Sequence, residues 1–488
     1  MSRRWWSLVA VSLATFMTYL DNNVTNVAIP TIQRSLHLSL SGLEWVVSTY
    51  ILVFAGLLLA GGRLADLFGR RRLFLLGLSV FTLGSLWAGL SGSGAELIAA
   101  RAVQGLGAAL VVPTTLMIIM ATFTAARERT TAIGVWTAIG AMALAFGPLI
   151  GGFISQHFHW GWIFFINVPV GIATFAIAFV ATGESRDLSL VRRLDVPGLI
   201  SSTVTLFSLV YALIEGEDRG WTSPLILGAF ALAAVAAAAF GVIESRTAHP
   251  MVDVRLFRSR VYAGGTVTMM LWAFGVFGIY FFTSIYLQTI LGFSPTKAGL
   301  AFVPMALCMA LFAGLAGPVS RVLRPHQTVG LGMAVMAGGL YWFGTLGGGA
   351  TFASLMPGFL IFGAGAGLMN VPLTNAIMHS MSPERSGVGS ALLNASREVA
   401  GLLGITIIGA VLRTAQGSAL RAGQDAAAAY LHGYHTGLIL TVALVAAGAM
   451  VSFTALRRLP RPAAADEALV PAIAAELSGS AEPEVIRS

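Results

Sequence analysis

The chain has 488 residues, of which 56% are hydrophobic and only 10% are charged. A soluble protein carries about 25% charged residues, so this composition excludes a soluble globular protein and indicates many membrane-spanning helices. The net charge of +8 does not indicate a nucleic-acid partner, because the basic residues form short clusters between apolar runs. The single cysteine, Cys308, excludes an intrachain disulfide and argues against a metal site.

Fourteen apolar runs are long enough to cross the roughly 30 Å hydrocarbon core of a bilayer. The first lasts over twenty residues without an early cleavage site, so it predicts a membrane helix rather than a removed signal peptide. In chain order the runs lie at about residues 5–28, 43–62, 73–93, 97–121, 132–155, 160–181, 195–215, 223–242, 261–290, 297–318, 327–348, 351–378, 386–412 and 432–455. An even number of spans predicts that both termini lie on the same side of the membrane.

The basic residues test this count independently, because cytoplasmic loops of membrane proteins carry an excess of Lys and Arg. With a cytoplasmic N-terminus, most of the 29 basic residues fall in segments on the cytoplasmic side. Only five fall on the opposite side: Arg34, Arg219, Lys297, Arg413 and Arg421. The sequence therefore predicts a multi-pass protein of a bacterial cytoplasmic membrane with both termini in the cytoplasm, and an outer loop at 413–431.

Two carboxyl groups lie well inside predicted spans, Asp21 in the first and Glu398 in the thirteenth. Arg101 in the fourth span and Arg397 share these depths. Ionisable groups in a membrane are costly and usually face a partner or a water-filled cavity. A carboxyl exposed in turn to an apolar site and to a guanidinium would take up and release a proton. Alternatively, Asp21 and Arg101 form a static ion pair, or Asp21 caps a helix that ends near Pro30.

The loop between the second and third spans reads "GGRLADLFGRRRLF", with a tight-turn glycine at each end and a cluster of arginines. It resembles the hallmark loop of the major facilitator superfamily, which acts as a cytoplasmic clamp between helices. The matching residues that the resemblance implicates are Gly62, Asp66, Gly69, Arg70 and Arg71. We also expect Asp66 to accept hydrogen bonds from the N-terminal amides of a neighbouring helix.

Further motifs resemble the fourteen-span drug/proton antiporter branch of that superfamily. "RAVQGLG" in the fourth span supplies Arg101 and Gln104, and "LDNNVTNVAIP" resembles the branch's first-helix signature around Asp21. "WGWIFFINVPVG" and "LLNASREVAGLLG" resemble its sixth and thirteenth spans, although Gly161 stands where an arginine is usual. The fifth span carries the antiporter motif, in which glycines allow close helix approach and a proline bends the helix, at Gly147, Pro148, Gly151 and Gly152.

The resemblance implies an all-α fold of two six-helix bundles with two extra central helices. It divides the chain into an N-terminal bundle, two linker helices with their loops, a C-terminal bundle and a disordered cytoplasmic tail, at residues 1–181, 182–258, 259–458 and 459–488. It also implies alternating access to a central substrate site. Proton coupling is assigned to Asp21, Arg101 and Glu398, and the substrate cavity to Asn22, Asn26, Gln104, Trp136 and Asn394.

The function expected from these residues is proton-coupled export of hydrophobic or cationic drug-like compounds by a monomer that needs no cofactor. One alternative is export of an endogenous metabolite or of an antibiotic that the organism itself makes. Another, from a different class, is a membrane receptor or scaffold that transports nothing. An enzyme is not expected, since the sequence has no recognisable catalytic constellation. ATP drive is not expected either, since the chain has no phosphate-binding loop.

Overall fold

The computed structural model describes residues 2–186, 195–247, 252, 254–381 and 386–457, and within these ranges all regular structure is helical. Fifteen α-helices follow one another: α1 (Arg3–Leu36), α2 (Leu40–Phe68), α3 (Arg70–Leu90), α4 (Gly94–Thr122), α5 (Ala126–His157), α6 (Trp162–Phe165), α7 (Asn167–Ala181), α8 (Val196–Arg219), α9 (Pro224–Arg246), α10 (Arg260–Ile285), α11 (Pro295–Val322), α12 (Pro325–Gly344), α13 (Phe352–His379), α14 (Ser386–Arg421) and α15 (Ala426–Ala455). A 3₁₀ turn, Val254–Arg258, precedes α10, and a π-helical turn, Tyr286–Ile290, follows it.

Twelve helices of the described residues are long and apolar enough to cross a membrane. The predicted all-α membrane fold is thus confirmed, but the count of fourteen spans is not. Helices α6 and α7 count together as one of the twelve, Trp162–Ala181, and the helices outside the twelve are α1 and α12. Helix α1 is continuous but contains a polar segment around Asp21, and α12 is rich in glycine and begins with polar residues. These residues lower the mean hydropathy of both helices.

The structure corrects two predicted boundaries, the end of the first helix and the loop at 413–431. Helix α1 passes through Pro30 and ends at Leu36, so Asp21 does not cap a helix end. Membrane helices tolerate an internal proline because neighbouring groups compensate for the lost backbone bond. The predicted sixth span, 160–181, agrees with the apolar stretch Trp162–Ala181, within which the helix is divided into α6 and α7. Most of the predicted outer loop 413–431 is helical, since α14 extends to Arg421 and α15 begins at Ala426.

The helices pack in two groups that also touch each other. In the first group α1 lies against α4, α5 and α7, and α2 and α3 both pack on α4. In the second, α13 packs against α11 and α12, and α15 against α10, α12 and α14. Contacts between the groups are α5 with α11, α2 with α14, and α1 with α10. Between them α8 packs on α2, α9 and α14. The predicted tail 459–488 lies outside the described residues.

Because the helices run up and down in alternation, the two ends of the molecule are distinguishable. We call the end that holds the α2–α3 loop and the start of α1 the Arg-rich end, since Arg3, Arg4 and Arg70–Arg72 lie there. The end that holds the α1–α2 and α8–α9 connections is called the far end.

Candidate functional site

The carboxylate of Asp21 lies at the centre of a polar cluster where four helices meet. Asp21 is 1% exposed and forms an ion pair with Arg101 of α4. Its Oδ1 atom accepts hydrogen bonds from Gln104 Nε2 at 3.0 Å and from Asn167 Nδ2 of α7 at 2.7 Å. The hydroxyl of Ser85 on α3 accepts from the same two amides, at 2.8 and 3.4 Å. Both oxygens of the buried carboxylate therefore have polar partners.

Arg101 is itself enclosed by aromatic rings and backbone. Its Nε donates to the carbonyl oxygen of Val46 at 3.2 Å, and its guanidinium carbon lies 4.3 Å from the ring centre of Tyr50 and 5.7 Å from that of Phe164. Cation–π contact supplements the ion pair where water is excluded. The structure therefore places Asp21 and Arg101 in a buried ion pair.

Sequence reasoning placed Asp21 and Arg101 together, assigned Gln104 to the substrate cavity instead, and missed the other two members of the cluster. Asn167 lies in the quoted segment "WGWIFFINVPVG" but was not singled out, although an asparagine within an apolar run is a signal of its own. Ser85 carries no such signal, since serines are common in membrane helices and bond to their own backbone. Its hydroxyl does donate to the Phe81 carbonyl oxygen at 2.8 Å while accepting from the two amides.

Glu398 on α14 is also buried, at 6% exposure, but its setting differs. Its partner is the adjacent Arg397, 2.9 Å away, whose side chain is 27% exposed. The two predicted coupling carboxyls lie on helices of different groups, Asp21 on α1 and Glu398 on α14.

The residues predicted to line a substrate cavity are dispersed. The side-chain oxygens of Asn22 and Asn26 are buried and, in the part of the chain that the structure describes, have no hydrogen-bond partner. Buried polar atoms of this kind require water or a ligand. Trp136 is engaged, donating from Nε1 to Thr15 Oγ1 at 2.7 Å. Asn394 is an exposed residue on α14.

The α2–α3 loop forms its contacts at the Arg-rich end. Asp66 pairs with Arg70 of the next turn, at 2.8 Å, rather than with the backbone amides we expected it to bind. That place is taken by Glu184, which follows α7 and accepts from the Arg71 backbone amide at 3.2 Å. The Arg71 guanidinium lies 5.0 Å from the ring centre of Phe179. A carboxylate at a helix N-terminus is stabilised by the helix dipole, so sequence reasoning identified the interaction but assigned it to the wrong acid.

Gly69 makes this arrangement possible, and its replacement is expected to destabilise the fold. Its φ is +114°, and a Cβ atom would lie 2.6 Å from Glu184 Oε1. We expect Gly69→Ala to lower the free energy of unfolding by about 1–3 kcal/mol, measured as the thermal midpoint in detergent. The control is Gly134→Ala on α5, where a Cβ meets no atom within 4 Å. Equal midpoints for the two variants would contradict the strain at Gly69.

The glycines of the antiporter motif bring backbones into contact, as their spacing predicted. A Cβ on Gly147 would lie 2.5 Å from the Asn23 Cβ of α1, and one on Gly151 2.7 Å from the Val24 carbonyl oxygen. A Cβ on Gly152 would overlap the Pro295 carbonyl oxygen of α11. Conversely, Gly299 of α11 faces the Pro148 carbonyl oxygen. The motif therefore lies between α1 and α11, where the two helix groups meet.

A second buried ion pair joins the two helix groups at the far end, and sequence reasoning missed it. Glu44 of α2, 0% exposed, pairs with Arg413 of α14, 6% exposed. Arg413 was assigned to an outer loop, yet its Nη2 also donates to the carbonyl oxygens of Leu213 and Ile214 on α8, at 2.9 and 3.0 Å. Nearby, Gln288 Nε2 donates to the Val27 carbonyl oxygen at 2.8 Å.

Comparison with known families agrees with this architecture. The sequence profile of the Major Facilitator Superfamily matches residues 11–405. The solved structures that this fold resembles include a bacterial homologue of the human lysosomal transporter Spinster, with a TM-score of 0.68, 17% identity and coverage of 93% of this chain and 97% of that one. The POT family transporter PepTSo has the same TM-score of 0.68 at 14% identity, with 92% of this chain and 98% of that one covered. The chain belongs to the Major Facilitator Superfamily and is a transporter rather than an enzyme.

Several curated proteins are similar over most of the chain. The multidrug resistance protein Stp of Mycobacterium tuberculosis is 36% identical over 406 residues, 83% of this chain and 75% of that protein. The tetracenomycin C resistance and export protein of Streptomyces glaucescens is 34% identical over 415 residues, covering 85% and 77%. The puromycin resistance protein of Streptomyces alboniger is 32% identical over 475 residues, covering 95% and 93%.

Proposed function

We propose that this chain exports hydrophobic or cationic drug-like compounds, antibiotics among them, from a bacterial cytoplasm in exchange for protons. The observation that carries the proposal is the buried Asp21–Arg101 pair, set in a transporter fold. The names of the similar proteins, which are resistance and export proteins, support the substrate class. We further propose that the protein works as a monomer, because both helix groups that enclose the site come from one chain.

The proposed topology has fourteen spans, with α1 and α12 as spans in addition to the twelve apolar helices. Neither helix needs high hydropathy where protein surrounds it, and α1 packs on α4, α5, α7 and α10. The Arg-rich end is assigned to the cytoplasm by the positive-inside rule, which puts both termini there. The far end then faces outwards, and the two helix groups are proposed as the two six-helix bundles, 1–181 and 259–458.

In the proposed coupling mechanism, the Asp21 carboxyl alternates between its ion pair with Arg101 and a bound proton. In this structure Arg101 and two amides bind the carboxylate of Asp21. When the far end opens, protonation of Asp21 from the acidic side neutralises the pair and releases the hold on α1 and α4. Each positive charge that enters gains about 2.3 kcal/mol per 100 mV of membrane potential, which drives the return step and the expulsion of substrate.

The proposed substrate site lies on the cytoplasmic side of the closed far end, beside α1. The unpartnered amide oxygens of Asn22 and Asn26 supply hydrogen-bond acceptors there, and Glu398 supplies a carboxylate on the opposite helix group. Amide acceptors, together with a carboxylate that is already paired with Arg397, suit neutral or monocationic organic compounds better than dications. Export of an antibiotic made by the same organism is a second candidate, favoured by the export protein of S. glaucescens among the relatives.

The test is ethidium accumulation in inverted membrane vesicles that contain the protein. We expect respiration to drive uptake into the vesicle interior and an uncoupler to abolish it, with no uptake in vesicles lacking the protein. Addition of substrate should also raise the pH inside acid-loaded vesicles, since protons leave in exchange. Uptake that requires ATP and persists in the presence of the uncoupler would exclude proton exchange. Repeating the assay with antibiotics defines the substrate range.

Asn167 provides a graded test of the Asp21 cluster. Asn167→Ala removes one of the three donors to the carboxylate, and a hydrogen bond to a charged group contributes about 1.5–3 kcal/mol. We therefore expect a decrease of about tenfold or more in proton-driven export at equal expression. Ser85→Ala is the matched control, because Ser85 touches the two amides but not the carboxylate, and its decrease should be smaller. A larger decrease in export for Ser85→Ala than for Asn167→Ala would contradict the expected order of the two variants.

A further inference from the structure

The last two turns of α8, residues 213–218, lie at the far end between the two helix groups and contact both of them. Towards α2, Asp218 accepts from Ser41 Oγ at 2.7 Å, and Glu215 accepts from Trp45 Nε1 at 2.9 Å. Towards α14, Glu217 accepts from Thr414 Oγ1 at 3.0 Å. The three acids of "EGED" are thus divided between one helix of each group, a feature that neither the family motifs nor the coupling scheme uses.

The contact with α14 is concentrated on charges at this one end. Arg413 binds two carbonyl oxygens of α8 while paired with Glu44 of α2, so one guanidinium joins three helices. A cation near a helix C-terminus is favoured by the helix dipole. Gly417 allows close approach, since a Cβ there would lie 2.9 Å from Glu217 Oε1. All of these contacts lie within two turns of α14.

The contact with α2 is longer and partly apolar. Besides Asp218 with Ser41, the Trp45 ring packs against the rings of Phe207 and Tyr211, each with centres 6.3 Å away. Deeper in the molecule, a Cβ on Gly56 would lie 3.7 Å from Thr203 Oγ1. Separating α8 from α14 would break polar contacts, of which the Thr414–Glu217 hydrogen bond is exposed and can be replaced by water. Separating α8 from α2 would also break apolar packing that is spread along the helix.

We propose that residues 213–218 of α8 are a latch that holds the far end closed, and that opening releases the latch from α14 while α8 stays on α2. This assigns a role to the first linker helix, and it rests on the proposed alternating access. The latch explains how a helix outside both bundles takes part in transport. It moves with the first helix group and closes on the second.

Two reversible cross-links test which side separates. In a Cys308→Ala background, one variant pairs Glu217→Cys with Thr414→Cys, and its matched control pairs Ser41→Cys with Asp218→Cys. Each pair is bridged by the same short bis-methanethiosulfonate reagent. The α8–α14 cross-link should reduce uncoupler-sensitive ethidium export at least tenfold, and dithiothreitol should restore it. The α8–α2 cross-link should leave at least half of the export. Any other combination overturns the latch.

A second measurement needs no transport, so it separates failure of the latch from failure of the export function. Val27→Cys places a buried thiol at the far end, and its labelling by a membrane-impermeant maleimide from outside reports opening. Adding Glu217→Gln, which weakens the α14 contact, should raise the labelling rate severalfold. Adding Arg219→Gln should not, because Arg219 pairs with Glu215 of its own helix. Equal labelling rates would overturn the latch even if export is proton-driven.

Discussion

Replacing Asp21 with asparagine is expected to abolish proton-driven export, with a decrease of at least a hundredfold in uncoupler-sensitive ethidium accumulation in inverted vesicles. Asparagine keeps the size of the side chain but cannot bind and release a proton. Exchange of labelled for unlabelled substrate across the membrane requires no net proton movement, so this counterflow should persist in folded protein. The combination of lost accumulation and retained counterflow is the signature of a coupling carboxyl.

The single substitution also leaves Arg101 as an unpaired charge in a site that is 0% exposed. Removing one partner of a buried ion pair destabilises a protein by about 3–5 kcal/mol, which could itself reduce export. The double variant Asp21→Asn/Arg101→Gln removes both charges. We expect it to recover the abundance and thermal midpoint of the wild type without recovering coupling. Asp21→Glu, which keeps an ionisable group, should retain part of the accumulation.

Glu398→Gln is the control that distinguishes the two carboxyls. Glu398 has the adjacent Arg397 as its partner on the same helix, so its protonation releases no contact between helices. We expect proton-driven accumulation of ethidium to decrease only a fewfold in this variant. If Asp21→Asn transported like the wild type and Glu398→Gln did not, the coupling role would belong to Glu398, and Asp21 would be structural.

The second large effect is expected at the contact between α5 and α11. A Cβ on Gly299 would overlap the backbone carbonyl of Pro148, which cannot rotate away as a side chain could. Gly299→Ala should therefore separate the two helix groups at the far end, because the backbones must move apart. We expect at least a tenfold decrease in export and faster labelling of a far-end cysteine by the impermeant maleimide.

The matched control for this effect is Gly314→Ala on the same helix, where a Cβ meets no atom within 4 Å. Both substitutions change helix propensity equally, by about 1 kcal/mol in favour of alanine. Any difference between them thus reports the close approach of α11 to α5. Export by Gly299→Ala at the level of Gly314→Ala would show that the two backbones need not touch in the transport cycle.

The sequence predicted the helices well because membrane helices are read from long apolar runs, which depend on composition alone. It did not predict how α1 ends, since the helix continues through Pro30 only because of its neighbours. The cluster around Asp21 was partly predictable, because Arg101 and Gln104 stand in a recognisable motif. The role of Ser85 was not predictable. The sequence does not distinguish a serine that accepts hydrogen bonds from two side-chain amides from one that bonds only to the backbone of its own helix.

The Glu44–Arg413 pair shows more clearly which contacts cannot be predicted from the sequence. The two residues are 369 positions apart, and each lies near the end of its own helix, where a charge needs no special explanation. Their pairing depends on how the two helix groups and α8 come together, which no local pattern encodes. The acids of α8 were unassigned for the same reason. What the sequence could not predict is therefore concentrated at contacts between helix groups.

The position of Asp21 also has a consequence for how the protein is made. Its partner Arg101 follows 80 residues later in the chain. At about 5–20 residues per second of synthesis, several seconds therefore pass between the synthesis of Asp21 and that of Arg101. An unpaired aspartate at the centre of a membrane helix disfavours insertion by about 2.5–3.5 kcal/mol, and α1 is not among the helices apolar enough to insert by composition alone. We therefore expect stable integration of the first helix to await the arrival of the fourth, so the residues proposed to serve coupling would also set the order of assembly in the membrane.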